Sequence, residues 1–408
     1  MSNLSDQELA ARAVAVLVNK VPGLESWFYF DVTIPRTRPT DLSLLEKLEP
    51  DGSGYRWNDA RHGPGTGAGK ADEAFAAVLA AITVRSRVAE LAFKRIFDLN
   101  EVENDSGAFI GPLGDLNEQE TKRRASMAWA RLNGRSCRGK PYVVAEGDSW
   151  FQFPKIKKGA LSLGNPVKDL IEHLMDRPDL CLETLAAGGD WLSNMLKSRQ
   201  YVSALSKVEP DVFLFSGGGN DMLGSERVGN MVMHVRRVPP ALDPVPARLL
   251  AARQAGDLAH RSHFDEVRFE AGLGVLSVDF FRFLNLVLVQ YLLFLWSLRQ
   301  ASRFSGMAII TQGYDFVIPK SKSDASWLSA PRQRLVNNGS NSGKWLWGPM
   351  EKKGLSDDLK QNALYAMVQE YNELLVGIVT SGLFDPIFHI DSRGLAKPDD
   401  WFDEIHLK

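Results

Sequence analysis

From residue 142 onward, short apolar runs alternate with longer stretches of helical periodicity, and that alternation points to an α/β fold. The apolar runs lie at residues 142–145, 182–186, 212–215, 308–311 and 387–390. Between the first two, a helix is expected from Pro166: Asn165 is a favourable cap, and proline suits a first turn, where its missing N–H costs nothing. A second helix is expected from Trp191. An insertion at about 222–306 interrupts the pattern and contains a Pro-rich stretch at 238–246.

The preceding region, 1–138, reads as mainly helical. Leu9, Val14, Leu17 and Val18 recur near helical spacing behind Ser5 and Asp6, either of which can cap. Residues 52–70 are glycine-rich and read as loop around Arg61 and His62, 71–99 as helix, and 118–132 as a helix ending near Gly134. The domain boundary is placed near Gly139, giving an N-terminal region of unknown function and a second domain, 139–408.

A formal net charge of -2 gives no sign of a nucleic-acid partner, because phosphate binders concentrate basic residues and are usually basic overall. The most apolar segment, 280–298, contains Arg282, Asn285 and Gln290, so it reads as a buried core helix and not as a membrane span. The first residues show no basic leader followed by a long apolar run, which predicts a cytoplasmic protein, with leaderless export as the alternative. Two cysteines, Cys137 and Cys181, do not indicate a secreted disulfide framework, and no Cys/His cluster suggests zinc.

Three of the apolar runs lead into small polar or glycine-rich segments, and such strand ends are where α/β proteins build their sites. Glu146-Gly147-Asp148-Ser149-Trp150 puts a serine on the turn after the first run. Gly188-Gly189-Asp190 follows the second, where glycine lets a backbone N–H approach developing negative charge. Ser216 to Asp221, with three glycines and Asn220, follows the third and supplies a side-chain amide donor. Near the end, Asp403-Glu404-Ile405-His406 brings a carboxylate and an imidazole within one short span. A nucleophile needs a base that titrates near neutral pH, and the base needs a third group to fix its tautomer.

These four segments, in this order and after these strands, resemble the blocks of the SGNH/GDSL hydrolases over roughly residues 141–406. The resemblance implies a three-layer α/β/α sandwich, flavodoxin-like, around a mostly parallel five-stranded sheet. It implies Ser149 as nucleophile, His406 as base and Asp403 as its orienting acid. Its oxyanion donors would be the Ser149 and Gly189 N–H groups and the Asn220 amide, with Gly188 as the alternative to Gly189. Asp148 and Asp221 would brace their loops. Against the family pattern, a final helix after His406 is not expected in the two residues that follow it here, and the insertion after Asn220 is longer than a minimal member needs. No Gly-x-Ser-x-Gly elbow occurs, which sets the pattern apart from α/β-hydrolases.

The implied activity is hydrolysis of small acyl or lipid esters without a metal or organic cofactor. Carbohydrate O-deacetylation and acyl transfer would use the same residues, and a catalytically inactive scaffold is the alternative of another class. Trp150, Trp345 and Trp347, with Tyr314 and Asp315 just after the fourth run, are candidate substrate-binding residues. The stretch 312–349 has the composition of a lid or substrate loop. Protein partners are not readable.

Overall fold

The computed structural model describes residues 48–50, 55–57, 120, 122–128, 130–131, 137–152, 168–224, 227–238, 264–321, 345–380, 384–401 and 404–407. The helices expected at 4–20 and 71–99, and Asp403, lie outside the described residues. The chain divides into two compact units. One comprises Met1–Asn104, Phe281–Gly306 and Val376–Asp385; the other comprises Asp105–Phe280, Met307–Leu375 and Pro386–Lys408.

In the first unit, strands β1 (Leu48–Pro50) and β2 (Tyr55–Trp57) form an antiparallel ribbon, so part of the stretch read as glycine-rich loop is strand. The same unit holds most of the helix Val278–Gln300, where Phe283, Leu284, Val287, Leu288, Tyr291, Leu292, Phe294, Leu295 and Leu298 are all buried. These buried apolar positions share one side of the helix, the stripe that a core-packed helix presents. Arg299 ends it by donating to the carbonyls of Phe304 and Phe384, satisfying its guanidinium where it leaves the apolar run. Among the described residues, no helix is long and apolar enough to cross a membrane.

The second unit is built on a five-stranded, all-parallel sheet. Its strands are β3 (Tyr142–Gly147), β4 (Cys181–Thr184), β5 (Val212–Ser216), β6 (Ala308–Gln312) and β7 (Ile387–Ile390), in the order β4-β3-β5-β6-β7. All five coincide, within two residues at either end, with the apolar runs of the sequence. Parallel strands need crossover connections, and here these carry helices α1 (Leu170–Met175), α2 (Leu192–Ser198) and α3 (Gln200–Val208). Val143, Ala145 and Leu214 pack with Ile171 and Met175 of α1. Phe213, which alternates with Leu214, stacks instead on Tyr201 of α3, with ring centroids 5.9 Å apart. The two sheet faces therefore carry different helices.

The first crossover helix begins later than its sequence suggested. It starts at Leu170 with Asp169 as cap, whose carboxylate accepts from the Glu172 N–H at 2.9 Å, and Lys168 is not helical. The shift has a physical cause. Asp169 is held by Arg124, a fully buried arginine that donates to both its oxygens at 3.2 and 2.6 Å and also to Glu120 and the Phe151 carbonyl. The Asp169 cap is thus fixed from a remote helix, a condition Asn165 and Pro166 do not reveal. Removing one partner of a buried ion pair strands the others, so Arg124→Ala is expected to destabilise this unit by at least about 3 kcal/mol. Urea unfolding followed by far-ultraviolet circular dichroism measures it, and a loss under about 1 kcal/mol would remove the buried-pair argument.

Cys137 and Cys181 form a disulfide, correcting the expectation drawn from cysteine number. It ties the turn before β3 to the first residue of β4, an outer strand of the sheet.

Candidate functional site

The sheet order places β3 between β4 and β5, so the three segments that follow these strands emerge side by side at their carboxyl ends. After β3 the chain turns at once: the Asp148 carbonyl accepts from Phe151 N–H at 3.0 Å and from Gln152 N–H at 2.9 Å. Ser149 sits in that turn and is buried. Gly147 is required there, because a Cβ would stand 2.6 Å from the Phe151 ring and 2.9 Å from the Ser216 carbonyl. After β4, Gly189 adopts φ +79, the left-handed region that glycine favours. After β5, residues Gly219–Leu223 form the short helix α4.

Hydrogen bonds join these three segments. The Asn220 side-chain amide donates to the Asp190 carbonyl at 2.9 Å, tying the third segment to the second. Asp221 accepts from the Leu192 N–H at 2.9 Å, satisfying a donor at the start of α2. Asp148 accepts from the Trp150 N–H at 3.1 Å and from the Tyr314 hydroxyl at 2.6 Å. The same hydroxyl accepts from the Gly219 N–H at 2.9 Å. Tyr314, just past β6, therefore bridges the Ser149 turn and the Asn220 segment.

The other candidates take varied places. Trp150 packs edge-on against Tyr314 and Trp401, with ring centroids at 5.4 and 6.2 Å. Asp315 is buried, its carboxylate accepting from the backbone N–H groups of Phe316, Gly394 and Ala396, which makes it a brace for the turn after β7. Trp345 is buried, while Trp347 is half-buried, carries Lys360 over its ring and donates its indole N–H to Asp357. His406 is buried in a turn closed by a bridge between Trp401 and Leu407. It lies near enough to Asp148 to favour that carboxylate's charged form. Among the described residues, no group of three or more His, Cys, Asp or Glu side chains is arranged to hold a metal ion.

The acidic residues here are held in an unusual state. Burial pushes Asp148 and Asp221 up to about 6, against the hydrogen bonds that lower them. Burial pushes Glu404 up to about 7, and Glu146, with Asp190 as a repelling neighbour, well above the ordinary range. Sequence spacing held no sign that Glu146 and Glu404 would be buried or that Asp190 would face Glu146, because these placements depend on the assembled fold.

Stability should depend on pH accordingly. Unfolded carboxyl groups titrate near 3.8 for Asp and 4.5 for Glu, so between there and 6 or 7 the folded protein binds more protons than the unfolded chain. Stability is then full at the acidic end and falls as pH rises through that window, by on the order of a few kcal/mol. Denaturant midpoints at pH 5 and pH 7.5 test this, and a midpoint that rises between them would contradict it.

Compared with protein-family models, with curated proteins and with solved structures, the chain matches none of them.

Proposed function

We propose that this chain is a serine esterase of the SGNH/GDSL type, acting on carboxylic esters of small acyl groups or lipids, with its sheet unit a three-layer α/β/α sandwich. The observation that carries this reading is the convergence of Ser149, Gly189 and Asn220 at the carboxyl ends of three adjacent parallel strands, with His406 electrostatically close to Asp148. The two helices on opposite faces of β5 support the sandwich.

In this reading His406 takes the Ser149 proton as the hydroxyl oxygen attacks the ester carbonyl. The N–H groups of Ser149 and Gly189 and the Asn220 amide stabilise the tetrahedral oxyanion. Asn220 has two amide protons, so the bond to the Asp190 carbonyl fixes the group while leaving its second proton to donate. His406 then protonates the departing alcohol, and water activated by the same imidazole releases the acid from the acyl-enzyme. Asp403 orients the imidazole.

The test is labelling with a fluorophosphonate, followed by hydrolysis of p-nitrophenyl esters of increasing acyl length. Stoichiometric labelling at Ser149 is expected, and the length profile separates a short-acyl esterase from a lipase. A wild-type protein that neither labels nor hydrolyses any of the esters would leave the scaffold alternative.

A further inference from the structure

Glu404 lies two residues before His406 and is 1 % exposed. Among the described residues its carboxylate is held by main-chain donors: Lys320 N–H at 3.2 Å and Trp347 N–H at 2.8 Å on Oε1, Trp345 N–H at 2.9 Å and Leu346 N–H at 3.2 Å on Oε2. Residue 320 and residues 345–347 stand on opposite sides of the chain segment 322–344, which falls within the stretch read from sequence as a lid or substrate loop. One side chain therefore gathers residue 320 and residues 345–347 at one point.

The donors are ones that need an acceptor from elsewhere. Trp345, Leu346 and Trp347 lead into the short helix Trp347–Glu351, and the first N–H groups of a helix find no partner within it. Their acceptor here is an acid from the turn that carries the base. A second tie runs the same way, because the Lys320 ammonium donates to the Trp401 carbonyl at 3.1 Å, and Trp401 pairs with Leu407 across the neck of that turn. His406 and Ile405 are both buried within it.

We propose that Glu404 is a positioning residue, which locks Lys320 and the Trp345–Trp347 backbone onto the turn bearing His406 and so sets the base in place; the proposal rests on the esterase reading. Glu404 touches neither substrate nor reacting atoms in this role. It acts through the placement of His406, where a misplacement of about 1 Å is enough to lower a rate roughly 100-fold.

The experiment compares wild type, Glu404→Ala and Glu404→Gln by amide hydrogen exchange and by the rate of fluorophosphonate labelling at Ser149. In Glu404→Ala, protection at Lys320 and Trp345–Trp347 is expected to fall at least about tenfold while the β5 amides stay protected, and labelling to slow roughly 100-fold. Glu404→Gln keeps one acceptor oxygen and is expected to recover part of both losses, which also carries the test should the alanine variant not fold. Unchanged protection in both variants overturns the proposal, as does lost protection with an unchanged labelling rate. Wild type that does not label overturns the esterase reading and this proposal with it, whereas wild type and variants labelling equally fast overturn this proposal alone.

Discussion

Replacing Ser149 with alanine is expected to abolish fluorophosphonate labelling and lower kcat for ester hydrolysis by about a million-fold, the scale of losing a nucleophile from a working triad. The oxyanion donors would remain, so a residual rate above that in water is expected to persist. The fold should survive the change. The turn around Ser149 is held by the Asp148 carbonyl and by Gly147, neither of which involves the serine hydroxyl. Melting within about 5 °C of wild type, beside lost labelling, therefore separates chemistry from structure. Labelling that persists in the mutant would move the nucleophile elsewhere, and the site would have to be rebuilt around it.

Loss of the Cys137–Cys181 bridge is expected to cost the sheet unit about 4 kcal/mol, the chain-entropy value for a loop closed across 44 residues. The bridge anchors β4, which among the described residues has only β3 as a strand neighbour, and the Cys181 N–H already donates to the Pro141 carbonyl at 2.9 Å. Urea midpoints of the oxidised protein, the reduced protein and the Cys137→Ser/Cys181→Ser variant measure the effect. Equal midpoints would show that the bridge closes a loop already closed by the sheet. The result also bears on where the chain works, since bridges persist in oxidising compartments and are rare in the cytosol. A large loss on reduction sets the bridge against the cytoplasmic expectation; a small one leaves the two compatible.

The strands were readable because each is a compact apolar run; for β3 to β6 burial within a parallel sheet leaves that trace, whereas β7 keeps it although Phe388 and Ile390 are exposed. The placement of Ser149, Gly189 and Asn220 at the ends of adjacent strands was readable for a related reason, since each follows such a run within a few residues. What could not be read depends on partners distant in sequence. Asp169 displaced Asn165 as a helix cap because Arg124 reaches it from an earlier helix. Tyr314 stood out only as a residue after a strand, while its hydroxyl turns out to join Asp148 to Gly219. Glu404 was given no role from its place between Asp403 and His406, and the four backbone N–H donors it accepts from lie far upstream. The two cysteines held no hint of pairing, because proximity of the β3 turn and β4 is a product of the fold.

The register of the sheet also dictates how fast such a protein can form. Its partners are remote along the chain: Val143 pairs with Val212, Val212 with Ala308, and Ile309 with Ile387. Each junction must close a long loop before it gains any contact, the condition under which chains fold slowly. Until β6 and β7 arrive, β5 presents an apolar edge with open hydrogen-bonding groups, so the half-built sheet is the species most prone to aggregate. Low temperature and dilution during refolding should therefore raise the yield of folded protein.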